Sequence, residues 1–247
     1  MTVTAGPGHR VTFATSWRSF TSTQGGLVVG HLLAAAAGVA GSPPRAVTAH
    51  LLGGVVPDVE AVVTAVADRT GSVRGELRQD GALRAVAQVL TSTGAAAPVT
   101  ETGPPPAGPG LEDGEPFELP RDHVPVGEHT EIRALGAARP LGDGDEPRLH
   151  AWVRIRGAEL EPLVQLGVLL DALPPSLFAV RTLPAAMPTV ELSAHLAGPT
   201  PPAGAWVRVD QRTAWSDAEV AVDDVELRAL DGSLVARGRQ TRRLLGR

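Results

Sequence analysis

Ala49-His50-Leu51-Leu52-Gly53 returns later in the chain as Ala194-His195-Leu196-Ala197-Gly198. The turn sequence Asp80-Gly81-Ala82-Leu83 returns as Asp231-Gly232-Ser233-Leu234. Upstream of both, the apolar run Gly30-His31-Leu32-Leu33-Ala34 returns as Gly167-Val168-Leu169-Leu170-Asp171. Three pieces recurring in one order predict a single supersecondary unit used twice. The copies agree on small and apolar residues but part at one place, where Asp171 stands for Ala34. A carboxylate in an oily helix is costly to bury, so it marks a candidate for chemistry.

The flanking sequence fills in each unit. From Gly25 to Ala40 the chain is apolar on nearly every side, which predicts a buried helix rather than an amphipathic one. Strand-like segments follow at 46–52, 62–68, 72–79 and 82–91. In the second half a strand at 150–155 precedes a helix over 160–172, which Pro174-Pro175 ends because proline cannot continue the hydrogen-bond ladder. Strands are then expected at 189–196, 205–213, 219–230 and 233–244. Each Asp-Gly pair predicts a type I′ hairpin, in which both central residues take positive φ. A helix and an antiparallel sheet, twice over, make an α+β protein. Gly103-Pro104-Pro105-Pro106-Ala107-Gly108-Pro109-Gly110 has little to bury and reads as a connector. Residues 1–100 and 118–247 are thus the expected halves, joined by 101–117.

Composition narrows the function. The 247 residues are 43% hydrophobic and 20% charged, ordinary for a globular protein with a full core. A net charge of −5 gives no footprint for nucleic acid or an anionic membrane. No apolar run nears the ~20 residues that span a bilayer, and Met1 to Arg10 lacks the apolar core of a signal peptide, so a cytoplasmic address is expected. The chain has no Cys, Lys, Asn or Tyr. That excludes disulfides, thiolate nucleophiles, Schiff-base lysines and tyrosine proton donors. Lys, Asn and Tyr have AT-rich codons, so a GC-rich bacterial genome accounts for their absence. The seven histidines show no metal-ligand spacing, no G-x-S-x-G elbow is present, and Gly108-Pro109-Gly110 has no strand before it to make a phosphate loop.

The chain resembles the acyl-CoA thioesterase II family, with its double-hotdog fold of a long central helix wrapped by a curled antiparallel sheet, in two copies. In the first half the likeness rests on Gln24-Gly25-Gly26-Leu27-Val28-Val29-Gly30, Leu51-Leu52-Gly53-Gly54 and Pro57-Asp58. In the second it rests on Leu169-Leu170-Asp171, Pro188-Thr189-Val190-Glu191 and Leu234-Val235-Ala236-Arg237-Gly238-Arg239-Gln240. These match the family's Asp late in the second helix, its Thr or Ser opening the next strand, and its Gln in the last strand. Gly53-Gly54 replaces the family's usual Arg-Pro pair, and Ala194-His195-Leu196 replaces its aromatic residues, which implies a reshaped acyl pocket.

The resemblance implies hydrolysis of acyl-CoA thioesters to free acid and coenzyme A. Asp171, Thr189 and Gln240 would be catalytic, holding one water between them. It implies acyl-CoA as substrate within fatty acid metabolism, no metal or redox cofactor, no nucleic-acid or membrane partner, and a homo-oligomer with a dimer favoured. A hotdog that only binds an acyl ligand stays open. So does a hotdog hydratase or dehydratase, although that chemistry normally wants a His beside an acid.

Strand alternation bears on two of the three residues. Gln240 falls with Leu234, Ala236 and Gly238 on a small, apolar face and should turn inward. Thr189 falls with Glu191, Ser193 and His195, so its strand position alone turns it to solvent. Asp171 has Val164, Gly167 and Val168 on its side of the helix, and both burial and the negative end of that helix should raise its pKa. Arg237, Arg239, Arg242 and Arg243 read together as a solvated sheet face, with coenzyme A phosphates as the other reading.

Overall fold

The computed structural model describes residues 8–68, 71–92, 99–101, 108–157 and 159–245. The long apolar run forms α1 (Gly25–Ala40), buried from Gly26 to Gly30 and again at Leu32, Leu33 and Ala36. It stops at Gly41, whose φ of 62° suits a residue without Cβ and whose N–H bonds Ala37 O. The second helix, α2 (Pro162–Leu170), is shorter than the sequence predicts. Pro162 opens its first turn, where a missing N–H costs nothing, and Asp171 is already its C-terminal cap.

Before α1 lie β1 (His9–Thr12) and a small hairpin of β2 (Arg18–Ser19) and β3 (Ser22–Thr23). After it come β4 (Pro44–Leu51), β5 (Glu60–Ala67), β6 (Ser72–Gln79) and β7 (Ala82–Thr91). Between the helices run β8 (Glu115–Phe117), β9 (Thr130–Ala134) and β10 (Arg148–Ile155). Following α2 are β11 (Thr189–Leu196), β12 (Val207–Ser216), β13 (Val220–Ala229) and β14 (Leu234–Arg243). All but β2 and β3 join one antiparallel sheet of twelve strands, ordered β1-β5-β6-β7-β4-β11-β14-β13-β12-β10-β9-β8. The fold class is α+β, as expected.

Strands from before and after α2 meet at the seam between β4 and β11. There Thr48 pairs with Ser193, and the shift that carries His50 onto His195 also carries Thr48 onto Ser193. The two repeated histidines themselves face solvent. Outward from the seam, β7 answers β14, β6 answers β13 and β5 answers β12. The helices cross at another matched pair. A Cβ on Gly167 would lie 2.5 Å from Gly30 N and 2.4 Å from Gly26 O, so only glycine permits this approach.

Three local expectations change. Asp80 and Gly81 do take positive φ, 51° and 75°, in a two-residue hairpin. In the second turn only Gly232 does, at 82°, because the loop from β13 to β14 is longer and closes through Ala229 N–H to Ser233 O. The connector is not loose throughout. Residues 102–107 lie outside the described residues, but Glu101 clamps the buried Arg228 with two bonds of 2.9 and 2.6 Å. Trp152 Nε1 donates to Pro109 O, and 115–117 is an edge strand that the sequence reading missed. Pro116 suits it there, since an edge strand can spare an N–H.

Candidate active site

Asp171 lies where α2 ends against the first turn of α1. Its neighbours are small by necessity: a Cβ on Gly26 would meet Asp171 Cβ at 2.7 Å. The Gly26 N–H donates to Asp171 Oδ2 at 2.9 Å, and Gln24 Nε2 donates to the Asp171 carbonyl at 2.8 Å. The positive end of α1 therefore faces the carboxylate, which the sequence reading had set only against the negative end of its own helix. Asp171 Oδ1 is held more loosely, 3.5 Å from Thr189 Oγ1 and 3.8 Å from Arg242 Nη2. The side chain is 9% exposed. Burial pushes its carboxyl above the usual range; Arg242, the Gly26 N–H and Thr189 oppose this, and Asp223 adds to it.

Gln240 arrives from β14 fully buried, as its alternation predicts. Its Nε2 donates to Leu170 O at 2.7 Å, which turns Oε1 toward Thr189 Oγ1 at 3.1 Å. Thr189 is turned inward by a β-bulge, which overrides the face its alternation assigns. Against β14, Thr189 pairs with Arg242 but Glu191 already pairs with Thr241, so Val190 is the extra residue. The bulge shifts the side chain by one face. The structure thus brings Asp171, Thr189 and Gln240 together.

Two members of the cluster were missed. Arg242, buried at 4% exposure, donates from Nη1 to Thr189 Oγ1 at 3.0 Å and from Nε to Asp223 Oδ2 at 2.8 Å. It shares parity with Gln240, so alternation already pointed it inward; grouping it with its arginine neighbours hid this. Asp223 lies with Ala221, Val225 and Leu227 on one face of β13, a lone acid among apolar residues that the same test would find. Two other arginines of that basic face are paired outside the site, Arg237 with Glu226 and Arg239 with Asp224. Clefts of about 670 and 290 Å³ lie over that charged region, around Arg148, Asp210 and Glu226, and none of the three predicted residues lines them.

The arrangement offers a partly free carboxylate oxygen, a hydroxyl and an amide oxygen within one small polar cluster. Such a set can hold a water and accept its proton. Among the described residues no group of His, Asp and Glu is placed to hold a metal ion, and no helix is long and apolar enough to cross a membrane.

Residues 98–243 match the acyl-CoA thioesterase C-terminal domain family. None of the curated proteins matches the sequence significantly. Among solved structures, a conserved hot dog fold protein of Alicyclobacillus acidocaldarius superposes with a TM-score of 0.87 at 16% identity, over 98% of this chain and 94% of that one. A proposed thioesterase II from Thermobifida fusca gives 0.82 at 20% identity, over 97% and 92%. The dehydratase domain of PpsC from Mycobacterium tuberculosis, in complex with C12:1-CoA, gives 0.63 at 17% identity, over 99% and 97%. At these identities the likeness establishes the hotdog fold.

Proposed function

The chain belongs to the family of the acyl-CoA thioesterase C-terminal domain, and on that premise we propose that it hydrolyses acyl-CoA thioesters with Asp171, Thr189 and Gln240. The observation that carries the reading is the loosely bonded Asp171 Oδ1 facing Thr189 and Gln240. At 3.5 Å from Thr189 Oγ1 this oxygen is only weakly bonded, which leaves it lone pairs for a water lying beside the pair. Asp171 Oδ1 takes one proton from that water as its oxygen attacks the thioester carbonyl. The C–S bond then breaks, the proton held by Asp171 passes to the departing sulfur, and the free acid and coenzyme A thiol leave with the carboxylate restored. Thr189 and Gln240 fix the direction of attack, which can lower the barrier by several kcal/mol.

The two halves, 1–100 and 118–247 joined by 101–117, are read as one helix-and-sheet unit used twice. Support comes from the pairing of Thr48 with Ser193 and the crossing of Gly30 with Gly167, each at its own repeat position. Register then matches residues between halves. Val89 pairs with Val47 as Gln240 pairs with Leu192, and Val73 faces Val89 as Asp223 faces Gln240. Pro44 faces Thr91 as Thr189 faces Arg242, each beside a register shift. The first half therefore has Ala34, Pro44, Val89, Val73 and Thr91 where the second has Asp171, Thr189, Gln240, Asp223 and Arg242. One hydrolytic site per chain follows.

The test is release of free thiol from a panel of acyl-CoAds of differing chain length, compared with Asp171→Asn. Turnover by the wild type that vanishes in a folded Asp171→Asn protein supports the reading. Wild-type turnover by that variant would sink it, and tight acyl-CoA binding without thiol release would favour a binding protein. Dehydration would show as a mass change of one water with the thioester intact. No histidine bonds to Asp171 among the described residues, which counts against that chemistry.

A further inference from the structure

The guanidinium of Arg242 is spread across the site. Its Nε is fixed on Asp223 Oδ2 at 2.8 Å, its Nη1 on Thr189 Oγ1 at 3.0 Å, and its Nη2 points at Asp171 Oδ1 from 3.8 Å. That Nη2 is buried without a hydrogen-bond partner among the described residues. Asp223, fully buried, also accepts Thr213 Oγ1 at 2.8 Å and Ser176 N–H at 3.3 Å, so it is held from three sides. Burying such a pair is expensive, and apolar residues of similar size usually serve stability as well or better. The first half makes that point within the same chain, filling the place of Asp223 with the fully buried Val73 and the place of Arg242 with Thr91. The fold does not need this ion pair.

Building on the hydrolysis proposed above, we propose that Arg242, braced by Asp223, is a positioning residue that holds Thr189 and Asp171 in working geometry. One arm occupies a lone pair of Thr189 Oγ1. The hydroxyl proton is then left to point at Gln240 Oε1 or Asp171 Oδ1, and the other lone pair is left to accept from water. The other arm lends positive charge to Asp171 from 3.8 Å. A direct charge-assisted bond at that oxygen would hold the carboxylate down and spoil it as a base. A charge just out of bonding range lets it ionise and still accept a proton.

The charged groups facing Asp171 are Arg242 from β14 and Asp223 from β13. From α1 come the Gly26 N–H and the Gln24 amide, and from β11 the Thr189 hydroxyl, none of which titrates as a side chain near neutrality. Removing each charge should therefore move Asp171 in opposite directions. Loss of the cation in Arg242→Gln raises its pKa, and loss of the anion in Asp223→Asn lowers it.

The experiment combines carboxyl-carbon NMR titration of Asp171, assigned by its absence in Asp171→Asn, with steady-state thiol release. Opposite displacements in the two single variants support the proposal, and an unmoved titration in both overturns it. Should a single variant fail to fold, the pair Arg242→Met with Asp223→Val replaces both charges by apolar groups, as Val73 does at the matched place of Asp223. It should melt near the wild-type temperature yet lose roughly 10–10²-fold in kcat, with KM changed far less, as misplacement of a reacting group does. A stable double variant with wild-type kcat would overturn the proposal. The titration needs no turnover, so its outcome stands apart from that of the hydrolysis reading, which wild-type inactivity alone would remove.

Discussion

Asp171 carries two opposed demands, which makes it the sharpest place to test the site. Its carboxyl is raised above its ordinary value chiefly by burial. Folding then favours the protonated form, and stability falls as pH rises from the unfolded carboxyl range through the raised folded value. Asp171→Asn keeps the shape and removes that burden. It should raise the melting temperature at alkaline pH while cutting thiol release by roughly 10²-fold or more, the scale of a lost general base. Activity of the wild type should fall as the pH drops through the same raised value, since only the ionised carboxylate takes a proton. Gln240→Ala should cost less turnover than Asp171→Asn, because it orients the water without moving a proton. A melting temperature lowered in Asp171→Asn would show that the carboxylate supports the fold instead. At this scale the sequence was half legible. Asp171 broke a repeat and Gln240 obeyed alternation, but Thr189 depends on a bulge at Val190 that leaves no mark in residue type.

At the scale of elements, the site exists because two helices cross on glycine. A Cβ on Gly167 would press on Gly26 O and Gly30 N at 2.4 and 2.5 Å, both backbone atoms with nowhere to move. Gly167→Ala should therefore force the helices apart and destabilise the protein by roughly 1–3 kcal/mol or more, on the scale of overpacked cores. Chemical denaturation would measure this, and an unchanged midpoint would mean that the crossing is looser than the structure has it. Thiol release should fall as well, since Gly26 would withdraw from Asp171. The titratable side chain of α1 is His31, half-buried and set edge-on to Phe13 with ring centroids 5.2 Å apart. Burial, with His9 nearby, lowers its pKa from 6.5 to about 4. Stability is thus lost as pH falls from about 6.5 toward 4, where the unfolded chain takes up the proton first. His31→Gln should flatten that acid loss in melting curves recorded across the window. The extent of α1 was plain from composition, whereas α2 ended earlier than its apolar run because Pro162 and Asp171 bound it. β8, at the sheet edge, and β9 beside it escaped notice because such short strands carry too few residues to show a period.

Across the whole molecule, the recurring segments lie about one seam, and Asp171 is polar where its matched position Ala34 is not. His50 and His195 sit on β4 and β11, which pair there through Thr48 and Ser193, so the recurring segments were legible in the sequence while the strand order was not. What the repeats could not convey is that Asp171 draws its donor from the other half, through Gly26 and Gln24 at the start of α1. The matched start of α2 is different, with Pro162 and Leu163 where α1 has Gly25 and Gly26. The match of the donor Gly26 is Leu163, and leucine cannot let a carboxylate come as close as glycine does. The other matched positions of the silent place are Pro44, Val73 and Val89, which offer no hydroxyl, charge or amide, and Thr91, whose hydroxyl already donates to Gly71 O; Gln88 stands one residue out of register on an exposed face. Ala34→Asp should for that reason create no second site. The new carboxylate would face apolar neighbours without donors and cost roughly 1–3 kcal/mol of stability, the penalty of a poorly satisfied polar group. Denaturation midpoints and thiol release per chain would measure both effects. The decisive protein is Asp171→Asn combined with Ala34→Asp: it should stay as inactive as Asp171→Asn alone, and recovery of turnover there would mean that the polar surroundings of Asp171 are dispensable and that a carboxylate at either of the two matched positions suffices.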